Sequence, residues 1–141
     1  MAPTNAELIR AVADAFNEGG IEAAARFFAD DVEFHEPPEQ PAPRTARGRD
    51  ELVRLFGEFD EAWTEHRSEI EELRELDEDR VLVFSVERFQ GRDGMEVDAP
   101  AAAVFTIEAG RVVSWQAFWD RDRALEAATS PPQAGTPPAG E

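Results

Sequence analysis

His35 and Glu36 are adjacent side chains that are well suited to moving a proton. A carboxylate held among apolar groups loses solvation of its charged form, which makes it a general base suited to neutral pH. Histidine is the usual proton shuttle in that range. Because neighbouring strand residues face opposite sides, at most one of the pair points directly into a pocket unless the following prolines distort the strand. Two other interpretations stay open: an exposed loop carboxylate, and a histidine on the outer face or at a dimer contact.

Two tryptophans near the carboxyl end could hold a flat ligand. Trp115, Ala117 and Trp119 follow one another at every second position, so they share one face of a strand. Indole rings stack on flat apolar molecules and offer N–H donors. Ordinary core packing is the competing interpretation, and the two are compatible because the walls of a pocket belong to the core.

Two further strands are predicted to contribute to the same pocket. Phe84 shares a face with Leu82 and Val86, while Ala101 and Ala103 place small side chains on the next strand. Small residues leave volume, which either a ligand or neighbouring aromatic rings could fill. The predicted ligand-binding side chains are Phe34, Phe56, Phe84, Ala103, Trp115, Trp119 and Arg44.

Arg44 belongs to a group of three arginines that follows a proline-rich segment, together with Arg47 and Arg49. In an acidic protein such a group could bind a substrate carboxylate. It could equally form ion pairs with Glu33 or Glu39, and intramolecular pairing is the interpretation that we favour.

The composition excludes several other classes of site. There is no cysteine, and the two histidines have no metal-ligand spacing around them, so we predict neither a metal site nor a cofactor. The net charge of −17 repels phosphate backbones and anionic membranes, so we expect no nucleic-acid partner and no membrane partner. No signal peptide is recognisable, and we expect a cytoplasmic location.

Helix signals occupy the first half of the chain. Thr4 and Glu7 have the spacing of a capping box, and the helix that they open should stop at Gly19 and Gly20. A second, shorter helix is predicted from Ile21 to Phe28. A third is predicted after Gly48, with Phe56 in its apolar stripe, and a short closing helix at 122–128.

Strand signals dominate the second half. Residues 32–35 alternate as a short strand, and the prolines after them predict an irregular loop. Four longer strands are predicted at 66–77, 79–90, 95–108 and 111–120, joined by short turns that are typical of an antiparallel meander. The fold class is therefore α+β: a curved antiparallel sheet packed on three to four helices, forming a cone that encloses one pocket.

Two segments resemble a known superfamily. GGIEAAARFFADDVEFHEPPEQPAPRTARGRDELVRLF and VFTIEAGRVVSWQAFWDRDRALEAA are similar to the front half and the closing elements of the nuclear transport factor 2-like superfamily. The similarity is to the branch of SnoaL-like polyketide cyclases and ketosteroid isomerases, whose fold is also called cystatin-like. It covers residues 1–128, which we interpret as one domain, and leaves 129–141 as a disordered tail.

The resemblance implies a site. In the isomerases a carboxylate just before a proline is the general base, and Glu36 before Pro37 occupies that position. Their oxyanion hole pairs a tyrosine with a protonated aspartate, but this chain has no tyrosine, and the aspartate position falls at Ala103 or Ala101.

Two functions follow from this pattern. The first is an enzyme that moves a proton on an apolar carbonyl substrate, as an isomerase, cyclase or dehydratase, with Glu36 as base and His35 assisting. The alternative is a non-catalytic module that binds a small apolar ligand or dimerises. A homodimer is expected through an outer patch of Val83, Val104, Val113 and Phe118.

Overall fold

A computed structural model describes residues 3–129 of the chain. Its elements, in chain order, are α1 (Asn5–Ala24), a short 3-10 turn (Ala25–Phe27), β1 (Phe28–His35), β2 (Thr45–Arg47), α2 (Arg49–Asp60), β3 (Trp63–Glu75), β4 (Arg80–Gly91), β5 (Glu96–Glu108), β6 (Arg111–Phe118) and α3 (Arg121–Thr129).

Helix α1 begins at the predicted capping box. The Thr4 hydroxyl accepts from the Glu7 amide at 3.0 Å, and the Thr4 amide donates to the Glu7 carboxylate at 2.9 Å. Gly20, with φ of 78°, breaks the helix into two parts, because that backbone conformation suits glycine alone. The predicted end of the first helix at Gly19 and Gly20 is therefore a kink within α1. The predicted second helix is one further turn, and Phe28 already belongs to β1.

The sheet contains six strands in the order β2-β1-β6-β5-β4-β3. Strands β3 to β6 form the predicted antiparallel meander, and β2 adds antiparallel to β1. Strand β1 pairs with β6 in parallel, so the sheet is mixed. Two register shifts between β3 and β4 increase the local bend and help to curve the sheet around its inner face.

Both faces of the sheet are covered, which gives two apolar layers. The inner layer packs β1 and the concave side of the meander against α1 and α2. The outer layer packs Leu82, Val104 and Phe118 against Ala124 and Ala128 of α3. The α+β fold with a curved sheet is thus confirmed, with three helices.

The predicted outer patch for a homodimer is wrong in two respects. Val83 lies in the inner layer. Val104 and Phe118 are buried beneath α3, with 9% and 6% of their surface exposed. Strand alternation predicted that Val104 and Phe118 share the outer face of the sheet. It could not show that α3 covers that face.

The predicted tail lies almost wholly in residues 130–141, outside the described part of the chain. No helix within residues 3–129 is long and apolar enough to cross a membrane.

Candidate functional site

A cavity of about 150 Å³ lies between the inner face of the sheet, α1, α2 and the proline-rich segment after β1. Its wall is mostly aliphatic and aromatic, and a dry apolar cavity of this size holds a molecule like benzene. Phe59 lines the cavity and is 40% exposed, so the cavity reaches the protein surface beside the end of α2.

Trp115 is the centre of the aromatic part of the wall. Its ring stacks on Phe105 at 5.1 Å between centroids and contacts Phe34 edge-on at 4.7 Å. Phe56 closes the group from α2 at 5.3 Å. The indole Nε1 of Trp115 is buried and has no hydrogen-bond acceptor among residues 3–129. Such a donor costs about 1–3 kcal/mol when nothing accepts from it.

The structure brings most of the predicted ligand-binding residues together. Five of the seven lie in the wall of this cavity: Phe34, Phe56, Ala103, Trp115 and Trp119.

Glu36 also lines the cavity, as predicted, and its side chain is only 12% exposed. Its carboxylate accepts three hydrogen bonds from Arg44. Oε2 accepts from Nη2 at 3.1 Å, while Oε1 accepts from Nε at 3.3 Å and from the Arg44 amide at 2.8 Å. The carboxylate therefore has a cationic partner that fixes its position.

Arg44 does not line the cavity, in contrast to its predicted ligand contact. Its guanidinium also donates to Glu58 at 3.0 Å and is 55% exposed. Hydrogen bonds first to Glu36 and then to Glu58 raise the pKa of Arg44 above its usual value. Intramolecular pairing is thus what the structure shows for all three arginines, since Arg47 pairs with Glu33 and Arg49 with Asp30.

Glu39 has a different role from the one predicted. Its two carboxylate oxygens accept from the backbone amides of Trp119 and Asp120, at 3.1 and 3.2 Å. The proline-rich segment is thereby tied to the start of α3.

His35 lies outside the cavity, so its predicted part in catalysis is not supported. Because Phe34 faces inward, the alternation of β1 turns His35 to the opposite face. There Nδ1 is 3.0 Å from the Thr45 hydroxyl, and Nε2 is 3.4 Å from Glu33. The side chain is one-third exposed.

Phe84 is also on the wrong face for its predicted role. It lies under α3, with the guanidinium of Arg121 5.1 Å from its ring centroid. The residues of β4 that line the cavity are instead the odd-numbered ones: Val83, Ser85, Glu87 and Phe89. Apolar side chains occupy both faces of β4 because both faces are covered, so its alternation could not show which face turns inward.

A second polar group in the cavity was not predicted. His66 of β3 donates from Nε2 to Glu87 of β4 at 2.8 Å, and its Nδ1 is 3.3 Å from Asp60. Ser68 and Ser85 donate to the other oxygen of Glu87 at 2.8 and 2.6 Å. We call these five residues the His66 cluster. Ser85 and Glu87 lie four and two residues before Phe89 on one strand, which was the signal available in the sequence.

The environment of His66 sets its charge. Burial disfavours the imidazolium, but hydrogen bonds and charges from Asp60 and Glu87 outweigh this effect, so the pKa of His66 is raised. The ring also contacts Phe89 at 4.4 Å and Phe16 at 4.8 Å between centroids. No group of His, Asp or Glu side chains in the described residues is arranged to hold a metal ion.

These features define a class of protein: an α+β cone around an apolar cavity with few polar groups. The SnoaL-like domain family matches residues 9–115, and the chain belongs to that family. No curated protein matches the sequence.

Solved structures show the same fold. A nuclear transport factor 2-like protein from Burkholderia thailandensis is 23% identical with a TM-score of 0.72, covering 92% of this chain and 99% of that one. A protein with a ketosteroid isomerase-like fold from Catenulispora acidiphila, solved with trimethylamine, is 18% identical with a TM-score of 0.71 over 92% and 96%. A candidate polyketide cyclase from Pseudomonas putida is 18% identical with a TM-score of 0.67 over 89% and 98%. These structures share the fold, and the match to the SnoaL-like domain family confirms the predicted superfamily.

Proposed function

We propose that this protein binds a small apolar carbonyl compound and transfers a proton on it, as an isomerase, cyclase or dehydratase, with Glu36 as general base. The observation that carries the proposal is the position of the Glu36 carboxylate, nearly buried in the wall of an apolar cavity. Arg44 holds the carboxylate in place at the cavity wall, within reach of a bound molecule.

The nature of the cavity supports the substrate class. Its aromatic wall suits a flat molecule, and its volume suits one of about a single ring. Within residues 3–129 nothing accepts from the Trp115 N–H, and a carbonyl oxygen would supply an acceptor once the indole turns toward the cavity. The excess of acidic residues favours a neutral substrate over an anion.

Non-catalytic binding is the second candidate, and one observation favours it. Ala101 and Ala103 line the cavity where the isomerases have a donor for the oxyanion, and the chain contains no tyrosine. Such donors usually supply the largest catalytic contribution. A homodimer and a cytoplasmic location remain proposals, and the homodimer has lost the outer apolar patch on which it was based.

The test uses 5-nitrobenzisoxazole, a small flat carbon acid. A base removes the ring proton while the N–O bond breaks, and the coloured cyanophenolate product reports proton abstraction without knowledge of the natural substrate. We expect turnover above that of free carboxylate buffer, and we expect Glu36→Gln to lower kcat/KM by about tenfold or more.

Glu58→Gln is the matched control. Glu58 shares Arg44 with Glu36 but does not line the cavity, so this variant should leave turnover unchanged. Turnover that survives Glu36→Gln within a few fold would refute Glu36 as the base. Binding of small aromatic molecules without any turnover would favour the second candidate.

A further inference from the structure

The His66 cluster lies in the same cavity as Glu36 but on a different part of its wall. Strand β4, which carries Glu87 and Ser85, is separated in the sheet from β1 by β6 and β5. Glu36 and Glu87 share no hydrogen-bonding partner among the contacts described above. The proposed base therefore makes no use of this second group.

Glu87 has capacity for one more hydrogen bond. Its Oε1 accepts from His66, and its Oε2 accepts from Ser68 and Ser85. An ionised carboxylate has about four acceptor positions, so one remains after these three bonds. Glu87 lines the cavity and is 15% exposed, so a molecule in the cavity can approach its carboxylate.

His66 connects Glu87 to the protein surface. Its Nε2 meets Glu87 at 2.8 Å, and its Nδ1 meets Asp60 at 3.3 Å. The His66 side chain is 9% exposed, whereas Asp60, the last residue of α2, is 34% exposed. The three side chains thus form a continuous path for a proton from the cavity to solvent.

The electrostatics of this path are simple. The charged groups that face the imidazole are Asp60 from α2 and Glu87 from β4. The other packed side chains are uncharged rings from α1, α2 and β4: Phe16, Phe59 and Phe89. With His66 protonated, the group carries one net negative charge, which favours a hydrogen-bond donor over an anion.

We propose that Glu87, His66 and Asp60 form a second acid–base site of the cavity, which binds a small aromatic molecule through its hydroxyl group and exchanges the hydroxyl proton with solvent. The ligand O–H donates to Glu87. On transfer, the O–H bond breaks, the ligand becomes its oxyanion and Glu87 becomes neutral. The onward transfer uses the neutral form of His66 that carries its proton on Nδ1: Nε2 takes the Glu87 proton while the Nδ1–H bond breaks and that proton passes through Asp60 to water. The proposal rests on the proposed function only in treating the cavity as a ligand site.

The experiment uses 4-nitrophenol, a single-ring phenol that ionises near neutral pH and changes colour when it does. Calorimetry gives its affinity, and absorbance gives the ionisation state of the bound molecule. We expect the wild-type protein to bind the neutral phenol in preference to the phenolate, and Glu87→Gln to weaken binding by about tenfold or more, because a hydrogen bond to a charged acceptor is lost.

Two variants separate this role from a structural one. Ser85→Ala removes one donor to Glu87 without changing charge and frees an acceptor position on the carboxylate, so we expect it to tighten phenol binding. Glu69→Gln is the control, since Glu69 is an exposed carboxylate of β3 that pairs with Arg88. If Glu87→Gln proves unstable, Asp60→Asn should still change the pH dependence of binding.

A second readout follows His66 directly. The chain has two histidines, so in His35→Gln the remaining imidazole signals in the NMR spectrum belong to His66. They should shift when 4-nitrophenol binds.

Several results would overturn this site: no binding by the wild type at millimolar phenol, equal affinity for Glu87→Gln, or unmoved His66 signals. The two proposals fail separately. If Glu36→Gln leaves the turnover of 5-nitrobenzisoxazole unchanged, Glu36 is not the base. If Glu87→Gln leaves the affinity for 4-nitrophenol unchanged, the second site is refuted.

Discussion

At the scale of single residues, the protonation of His66 is linked to folding. Its folded-state pKa lies above the ordinary value of about 6.5, so the folded protein binds that proton more tightly than the unfolded chain does. The resulting stability is complete below the unfolded pKa and is lost as the pH rises through the folded pKa. Asp77 and Glu69, whose pKa values are lowered, titrate on the acid side and outside this window.

We therefore expect the free energy of unfolding to fall as the pH rises above about 6.5. In His66→Gln the free energy of unfolding should depend much less on pH over this range, because Gln does not titrate. Urea unfolding of both proteins at several pH values from 6 to 9 checks the expectation. Parallel curves for the two proteins would contradict it.

Part of the candidate site was predictable at this scale. Glu36 and the tryptophans were placed by their strand alternation and by resemblance, and both methods led to the cavity wall. His66 was missed because β3 contains many glutamates, a composition typical of a strand that faces solvent. Only the packing of α1 and α2 against its inner face shows that His66 and Ser68 are covered.

At the scale of elements, the turn between β5 and β6 contains strain. Ala109 has φ of 52° and Gly110 has φ of 75°, in a two-residue turn that joins Glu108 to Arg111. Both positions need the left-handed conformation, which asparagine followed by glycine adopts most readily. Alanine there costs about 1 kcal/mol.

Ala109→Asn should therefore stabilise the protein by about 0.5–1 kcal/mol without changing the pocket. Gly110→Ala is the opposite variant: no heavy atom lies within 4 Å of the added Cβ, so any loss would come from backbone strain. Thermal melts of the two variants should move in opposite directions. A shift of both in the same direction would mean that the turn changes conformation.

The elements themselves were largely predictable, and the exceptions have physical reasons. Period-two alternation and short turns located β3 to β6 within a few residues. Strand β2 was missed because its three residues follow a proline-rich stretch and become a strand only by pairing with β1. The parallel pairing of β1 with β6 joins distant parts of the chain, and no local pattern encodes it.

At the scale of the whole molecule, both packed layers described above are formed by residues within 3–129. The remaining sequence consists mainly of proline, glycine and alanine, which offers little apolar surface to bury. We expect a chain that ends at Thr129 to keep the melting temperature and the 4-nitrophenol affinity of the full chain. A melting temperature lower by several degrees would show that residues 130–141 contribute to the fold.

The parallel pairing of β1 with β6 also sets an order of assembly. Phe34 and Trp115 are direct partners, although β2, α2 and three whole strands lie between them in the chain. Hairpins of the meander can form from near neighbours, whereas β1 has to wait for the last strand, and contacts between distant residues form slowly. On the ribosome, Phe28, Val32 and Phe34 therefore leave the exit tunnel long before their partner strand exists. During that interval these apolar side chains lack the strand that later covers them, and transiently exposed apolar surface of this kind favours aggregation.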